Sequence, residues 1–211
     1  MSSLSLITLS FCLFGRSDYL NLIASLIGAT SLIFCAKGHP VGQMLMIIFS
    51  VLYGIISFEI SYYGEMLTYV GLTLPMAVFS LVSWIRNPYE KNKSEVKVAR
   101  LKRGEWLIIA ILTVIVTAIF YFLLKCLGTA NLLPSTLSVS TSFVAAYLTF
   151  RRSPYYALAY AANDIVLIVL WILAGITDIS YLSVMICFVV FLFNDLYGFI
   201  SWTKMQKRQS A

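Results

Sequence analysis

Charge is what this chain has least of. Of its 211 residues only 11% are Asp, Glu, Lys or Arg, against 60% hydrophobic, and mean hydropathy is +0.89. A soluble domain carries about 25% charged residues to keep its surface hydrated. So sparse a supply excludes an ordinary water-exposed globule, a disordered chain and a disulfide scaffold. Histidine is nearly missing as well: His39 stands alone in a polar turn, so metal clusters and His-based hydrolysis have almost no material. The four cysteines, Cys12, Cys35, Cys126 and Cys187, lie far apart without CxxC or metal-ligand spacing and read as small apolar filler in helices. No HExxH, GxSxG or Walker pattern occurs, which argues against a protease, an esterase or an ATP-driven pump. The chain reads as a non-enzyme without metal or cofactor.

Long apolar runs are what it has instead. A bilayer-spanning helix needs about 20 mostly apolar residues. Seven runs qualify: Leu20–Ala36, Val41–Tyr62, Glu65–Ile85, Trp106–Leu127, Thr136–Phe150, Tyr155–Ile176 and Ile179–Thr203. The fifth is short and rich in Ser and Thr. Breaks containing Pro fall in the gaps, at Lys37-Gly38-His39-Pro40, Asn87-Pro88 and Ser153-Pro154. The stretch Leu4–Phe14 is apolar but about half a span long. No Lys or Arg precedes it, so it reads as an interfacial or packed segment and not as a secretory signal.

The basic residues sort by side. The loop from Arg86 to Glu105 carries Arg86, Lys91, Lys93, Lys97, Arg100, Lys102 and Arg103, and the positive-inside rule makes it cytoplasmic. Alternation then puts Lys37, Arg151, Arg152, Lys204, Lys207 and Arg208 on the same side, leaving only Arg16 and Lys125 outside. Adding or dropping a span would scramble that sorting. The expectation is a multi-pass cell-membrane protein with its N-terminus outside and C-terminus cytoplasmic. Its net charge of +6 reads as an orientation signal, with the lipid bilayer and no nucleic acid as partner.

Spans one to three and five to seven look like two copies of one unit. Each copy has a span ending in a basic, Pro-containing turn, then a long span, a short outer turn, and a span ending Ser-Trp, at Ser83-Trp84 and Ser201-Trp202. Span four is the odd element, and it makes the copies parallel. The expected fold is all-α, integral to the membrane, with seven helices in a 3+1+3 plan of parallel triple-helix repeats that resembles SWEET transporters. Its segments are an N-terminal external or interfacial stretch (1–19), a first repeat (20–86), a basic loop with linker helix (87–135), a second repeat (136–203) and a cytoplasmic tail (204–211).

An acidic residue at mid-bilayer costs about 2.5–3.5 kcal/mol, so each one asks for a reason. Glu65 follows a short outer turn and reads as a solvated charge complementing a helix dipole. Glu59 lies about 6 Å below that turn by helical rise, facing an outer vestibule. Asp164 falls about 15 Å from the cytoplasmic end of its span, and Asp195 about 10 Å. Both follow an asparagine, so Asn163-Asp164 and Asn194-Asp195 bring donors and acceptors to one depth. They read as a substrate pocket, a helix–helix polar clamp, or both. Tyr160, Asp164 and Trp171 share a face of span six, Tyr197 follows Asn194, and Tyr53 marks a face of span two with Ser50 and Ser57. Trp171 suits packing, an interfacial belt or ligand stacking; Trp84 and Trp202 read as an interfacial aromatic belt. Carboxylates among aromatic walls suit a flat, cationic or ribose-bearing solute.

Tyr53-Gly54, Glu59, Tyr63-Gly64-Glu65, Ser83-Trp84 and the run Tyr197-Gly198-Phe199-Ile200-Ser201-Trp202 resemble the PnuC-type vitamin transporters, over nearly all of Leu20 to Thr203. The resemblance implies facilitated uptake of nicotinamide riboside, with thiamine or riboflavin as relatives' substrates, trapping by cytosolic phosphorylation, and a homotrimer. It puts Glu59 where the family commonly has a glutamine and Asp164 at its span-six acidic position. The family's Trp-x-x-Trp on span six is replaced by Ala157-Leu158-Ala159-Tyr160, so Tyr160 inherits any stacking role. The implied substrate-binding set is Tyr53, Glu59, Tyr160, Asn163, Asp164, Trp171, Asn194, Asp195 and Tyr197. Other readings are a vitamin facilitator of different specificity, a SWEET-like sugar facilitator, and a non-transporting membrane sensor or partner protein.

Overall fold

Each long apolar run is helical, because a backbone in hydrocarbon must satisfy its own hydrogen bonds. The computed structural model describes residues 2–14, 19–59, 62–89, 92–129, 131–176 and 179–210. A short helix α1 (Ser2–Phe14) precedes the spans α2 (Tyr19–Ala36) and α3 (Val41–Glu59). The third span has three parts: α4 (Tyr63–Thr68), a π-helical turn (Tyr69–Thr73) and α5 (Leu74–Arg86). An antiparallel hairpin, β1 (Pro88–Tyr89) and β2 (Asn92–Val96), leads to α6 (Arg103–Cys126), α7 (Leu132–Phe150), α8 (Tyr155–Gly175) and α9 (Leu182–Gln209). Among the described residues, 7 segments are long and apolar enough to cross a membrane. Arg16 and Lys91, which figured in the topology, lie outside the described residues.

Several boundaries differ from the sequence expectation. The fifth span begins at Leu132 instead of Thr136 and reaches 19 residues, a full crossing despite its hydroxyls. The second is helix through Glu59, with 60–61 outside the described residues. The last runs through to Gln209, so most of the expected tail is helix, with Lys207 and Arg208 in its final turn complementing the dipole. Helix α1 is a packed segment: it lies on α2 and α9 and buries Ile7.

The helices close a ring. α2 packs on α3, α3 on α5, α5 on α7, α7 on α8, α8 on α9, and α9 returns to α2. Helix α6 stands outside, against α7, and exposes Leu107, Ile111, Val114 and Phe122, the apolar surface appropriate to lipid.

The basic end is tied twice in the same way. After α2, Gly38 adopts φ +67°; after α7, Arg152 adopts φ 57°. His39 N–H donates to the Phe34 carbonyl and Ser153 N–H to that of Leu148, both at 3.0 Å. Trp84 Nε1 donates to the Thr149 carbonyl (3.0 Å) and Trp202 Nε1 to that of Cys35 (2.7 Å), each a second donor to a last-turn carbonyl that also accepts the N–H of Arg152 or Gly38. Both indoles are 0% exposed, with ring centroids 5.3 Å apart. They are therefore not the interfacial belt that their position suggested, since each N–H has a partner inside the protein.

The chain after β2 crosses over this pair as a strap. Val96 N–H donates to the Gly38 carbonyl and Ala99 N–H to that of Arg152, both at 3.0 Å. Val96 is buried in one apolar cluster with Trp84 and Trp202. Gln209 holds the strap to α9: its Oε1 accepts from Val98 N–H (2.8 Å), and its Nε2 donates to the Val96 carbonyl (3.1 Å) and to Glu95 (2.7 Å). Glu95 also pairs with Arg208. Gly38 needs its missing side chain here, because a Cβ would meet Met205 Cε at 2.9 Å and the left-handed φ disfavours one.

Candidate substrate pocket

The π-helical turn has a local cause. Pro75 has no N–H for the Gly71 carbonyl, so the helix widens, and Leu74 N–H reaches the Tyr69 carbonyl five residues back. The turn lies close on α3 because Gly54 is bare there; a Cβ would meet Val70 Cγ2 at 2.4 Å. Tyr69 and Thr73 are thereby delivered to the centre of the ring, where both line a small interior pocket.

Five helices complete that pocket: Leu32 from α2, Phe49 from α3, Ser142 from α7, Tyr160, Asn163 and Asp164 from α8, and Phe191 and Asp195 from α9. It encloses about 20 Å³, room for little more than one water. No Lys or Arg lines it among the described residues. Asn163 is held by α7: its Oδ1 accepts from Thr141 (2.7 Å), Ser142 (3.1 Å) and Ser138 (3.4 Å). That triple anchor explains the hydroxyl-rich fifth span, and it leaves the amide NH2 as what Asn163 can offer a ligand. Asp164 and Asp195 are both buried, their carboxyl groups within hydrogen-bonding reach of one another, and Asp164 Oδ2 has no partner. Two carboxyls in contact with no cation beside them share a proton, and the pair offers acceptor oxygens to a positively charged or hydroxyl-rich ligand.

Away from the basic end an aromatic layer covers the pocket. Tyr53 lies 4.3 Å from Tyr69 and 5.5 Å from Phe49 by ring centroids, and Tyr62 stacks on Trp171 at 5.3 Å. Trp171 Nε1 donates to the Tyr53 hydroxyl at 2.9 Å. Glu65 joins this layer. It is 1% exposed, so it is not the solvated turn residue expected from its position. The Ser138 hydroxyl is a polar neighbour, and neither carboxylate oxygen completes a hydrogen bond of normal geometry. At the other end, burial and then the charge of Arg151 push the Arg152 guanidinium pKa down, in the turn that receives the strap.

Of the residues singled out from the sequence, Tyr160, Asn163, Asp164 and Asp195 come together around the pocket. Tyr53 and Trp171 sit in the layer over it. Three stand elsewhere. Glu59 is exposed at the end of α3. Asn194 turns away, its Nδ2 donating to the Val190 carbonyl at 3.0 Å and its Oδ1 meeting Ser3 at 3.4 Å. Tyr197 is 62% exposed on the outer face of α9. Adjacent residues on a helix point about 100° apart, and on α9 it is Asp195 that faces the pocket while Asn194 faces Val190 and Ser3. Sequence reasoning missed Tyr69, Thr73 and Ser142; Pro75, inside an apolar run, was the available signal for the first two.

Comparison with known proteins adds an independent line. The family model described as nicotinamide mononucleotide transporter matches residues 18–204. The nicotinamide riboside transporter PnuC of Neisseria mucosa is 26% identical over 202 residues, covering 94% of this chain and 77% of that protein. Its counterpart from Haemophilus influenzae is 24% identical over 192 residues, covering 90% and 82%. A crystal structure of the vitamin B3 transporter PnuC superposes with TM-score 0.85 at 25% identity, over 99% of this chain and 90% of that one.

Proposed function

The chain belongs to the nicotinamide mononucleotide transporter family, a family of multi-pass membrane transporters and not of enzymes, and we propose that its own substrate is the riboside, nicotinamide riboside, and not the mononucleotide. The acidic pair Asp164–Asp195 carries this reading. A phosphate monoester is about doubly negative at neutral pH, and a pocket with two carboxyls in contact and no lysine or arginine in its lining repels it. The riboside offers a cationic pyridinium and sugar hydroxyls in its place. Asn163, Asp164, Asp195, Tyr160, Tyr69 and Thr73 form the binding set, with Tyr53 and Trp171 closing over it. The two relatives bear riboside-transporter names, which supports the same choice.

The transport cycle follows from the two closures. The aromatic layer shuts one end and the Trp84–Trp202 pair with its strap shuts the other, so access alternates as one or the other opens. The ring's reciprocal ties, Trp84 to Thr149 and Trp202 to Cys35, support two parallel triple-helix repeats of SWEET-like plan, α2–α5 and α7–α9, with α6 as linker. By the positive-inside rule the basic end is cytoplasmic and the N-terminus outside. Movement is facilitated diffusion, with phosphorylation in the cytosol withdrawing the riboside because its phosphate ester no longer fits the acidic pocket. A homotrimer is the assembly the family resemblance implies.

Proteoliposome uptake tests the reading. Labelled nicotinamide riboside equilibrates without an ion gradient, and accumulates only when a riboside kinase and ATP are enclosed. Preference for the mononucleotide, thiamine, riboflavin or a sugar over the riboside overturns the substrate. Accumulation driven by a proton or sodium gradient overturns the mechanism.

A further inference from the structure

A second concavity lies at the basic end, outside the ring, between α9 and the turn after α2. It encloses about 350 Å³. Ser201, Lys204 and Arg208 reach it from one stripe of α9, and Lys37 faces them from the α2–α3 turn. Glu95 of the strap also lines it and pairs with Arg208. Lys37 and Lys204 have no ion-pair partner among the described residues. Two unmatched ammonium groups and a serine hydroxyl converging on one hollow describe a seat for an anion with several oxygen acceptors.

The same stripe changes character toward the membrane. Phe193, Tyr197 and Ile200 are all exposed, at 67%, 62% and 53%. Ile200 and Lys204 are separated by about 6 Å of helix rise. An exposed apolar track that turns basic and hydroxylic within one turn matches a lipid whose chains lie along the helix and whose phosphate sits at its polar end.

We propose that this concavity binds a phosphate-bearing anion, the headgroup of an anionic phospholipid, with Lys37, Lys204 and Ser201 on the phosphate and the chains along Phe193, Tyr197 and Ile200. The site is separate from the substrate pocket, and its cations are what the acidic pocket lacks. An occupied headgroup stands beside the Glu95–Arg208 pair that anchors the strap, so the lipid bears on closure of the basic end.

Full-length protein in nanodiscs of mixed phosphatidylglycerol and phosphatidylcholine, released into detergent for native mass spectrometry, tests the site. Phosphatidylglycerol is retained over phosphatidylcholine by the wild type, and Lys37→Gln/Lys204→Gln lowers that retention by about tenfold, a change in affinity of about 1.4 kcal/mol. Lys37→Arg/Lys204→Arg keeps it. Lys207→Gln, at the same helix end but outside the concavity, also keeps it. Thermal unfolding verifies that each variant is folded. A second arm adds inorganic phosphate to lipid-free protein. If phosphate binds in a manner abolished by the double Gln variant while lipid selectivity is absent, the phosphate site stands and the lipid source is overturned. Equal retention of both lipids with no phosphate binding overturns the site. So does a loss in Lys207→Gln as large as that in the double variant.

Discussion

Trp171 donates its indole N–H to the hydroxyl of Tyr53 at 2.9 Å, fastening α8 to α3 across the end of the pocket remote from the basic turns. Both side chains are buried, so neither group has water as an alternative partner. The bond joins the two halves of the ring where, in the proposed cycle, the aromatic layer parts to admit a substrate. Its strength therefore contributes both to stability and to the balance between closed and open forms.

Tyr53→Phe keeps the ring and removes the acceptor. Leaving a buried indole N–H unsatisfied costs about 1–3 kcal/mol, so the thermal unfolding temperature in detergent falls. Trp171→Phe falls too. The double variant falls by less than the sum, because the partners share one interaction. Additive losses would mean that the bond contributes nothing of its own.

Asp164→Asn and Asp195→Asn keep shape and remove charge. Riboside uptake into proteoliposomes is expected to drop at least about tenfold in each, as the loss of one charged contact of about 1.5–3 kcal/mol requires. Asn194→Ala, whose amide faces Val190 and Ser3, is expected to stay within about twofold of wild type, a change below about 0.5 kcal/mol. Full activity in both Asp variants would move the binding site away from α8 and α9.

Glu65→Gln separates stability from function. A neutral amide is cheaper to bury than an ionised carboxylate with incomplete hydrogen bonding, so thermal stability is expected to hold or rise. If Glu65 contributes to the proposed binding of a cationic ring in the aromatic layer, riboside uptake falls several-fold. A destabilised variant with normal uptake per folded molecule would make Glu65 structural.

Gln209→Ala removes one acceptor and two donors that hold the strap. Local opening of the segment from Val96 to Arg100 is then easier. Limited trypsin digestion should cleave at the exposed Lys97 and Arg100 faster than in wild type, while global unfolding temperature changes little. Unchanged cleavage would show that the bonds to Gly38 and Arg152 hold the strap unaided.

Much of the architecture is legible in one dimension, and the particulars show why. Leu20–Ala36 and Trp106–Leu127 announce themselves as spans because hydrocarbon tolerates no unsatisfied backbone, so length and apolarity leave few alternatives. Asp164 and Asp195 stand out for the same reason, as charges at a depth where insertion is costly. The short Ser/Thr run of the fifth span was harder to bound, since its hydroxyls lower hydropathy. Ser138, Thr141 and Ser142 serve Asn163, a contact that no window average contains.

Side-chain direction was where one-dimensional reading stopped. Trp84 and Trp202 have the address of interfacial residues and the environment of a core, because two helix ends meet around them. Glu65 looks solvated next to a turn and is buried because α7 covers it. Tyr69 and Thr73 reach the pocket only through a helix widened at Pro75. Scarcity of charge by itself determined the solvent and the number of spans, and marked the acidic residues that need a reason, since these depend on transfer energies that each residue carries along the chain. Tertiary structure decided which acids meet, which amide turns away and what closes each end, because those outcomes depend on the rotation and contact of helices distant in sequence.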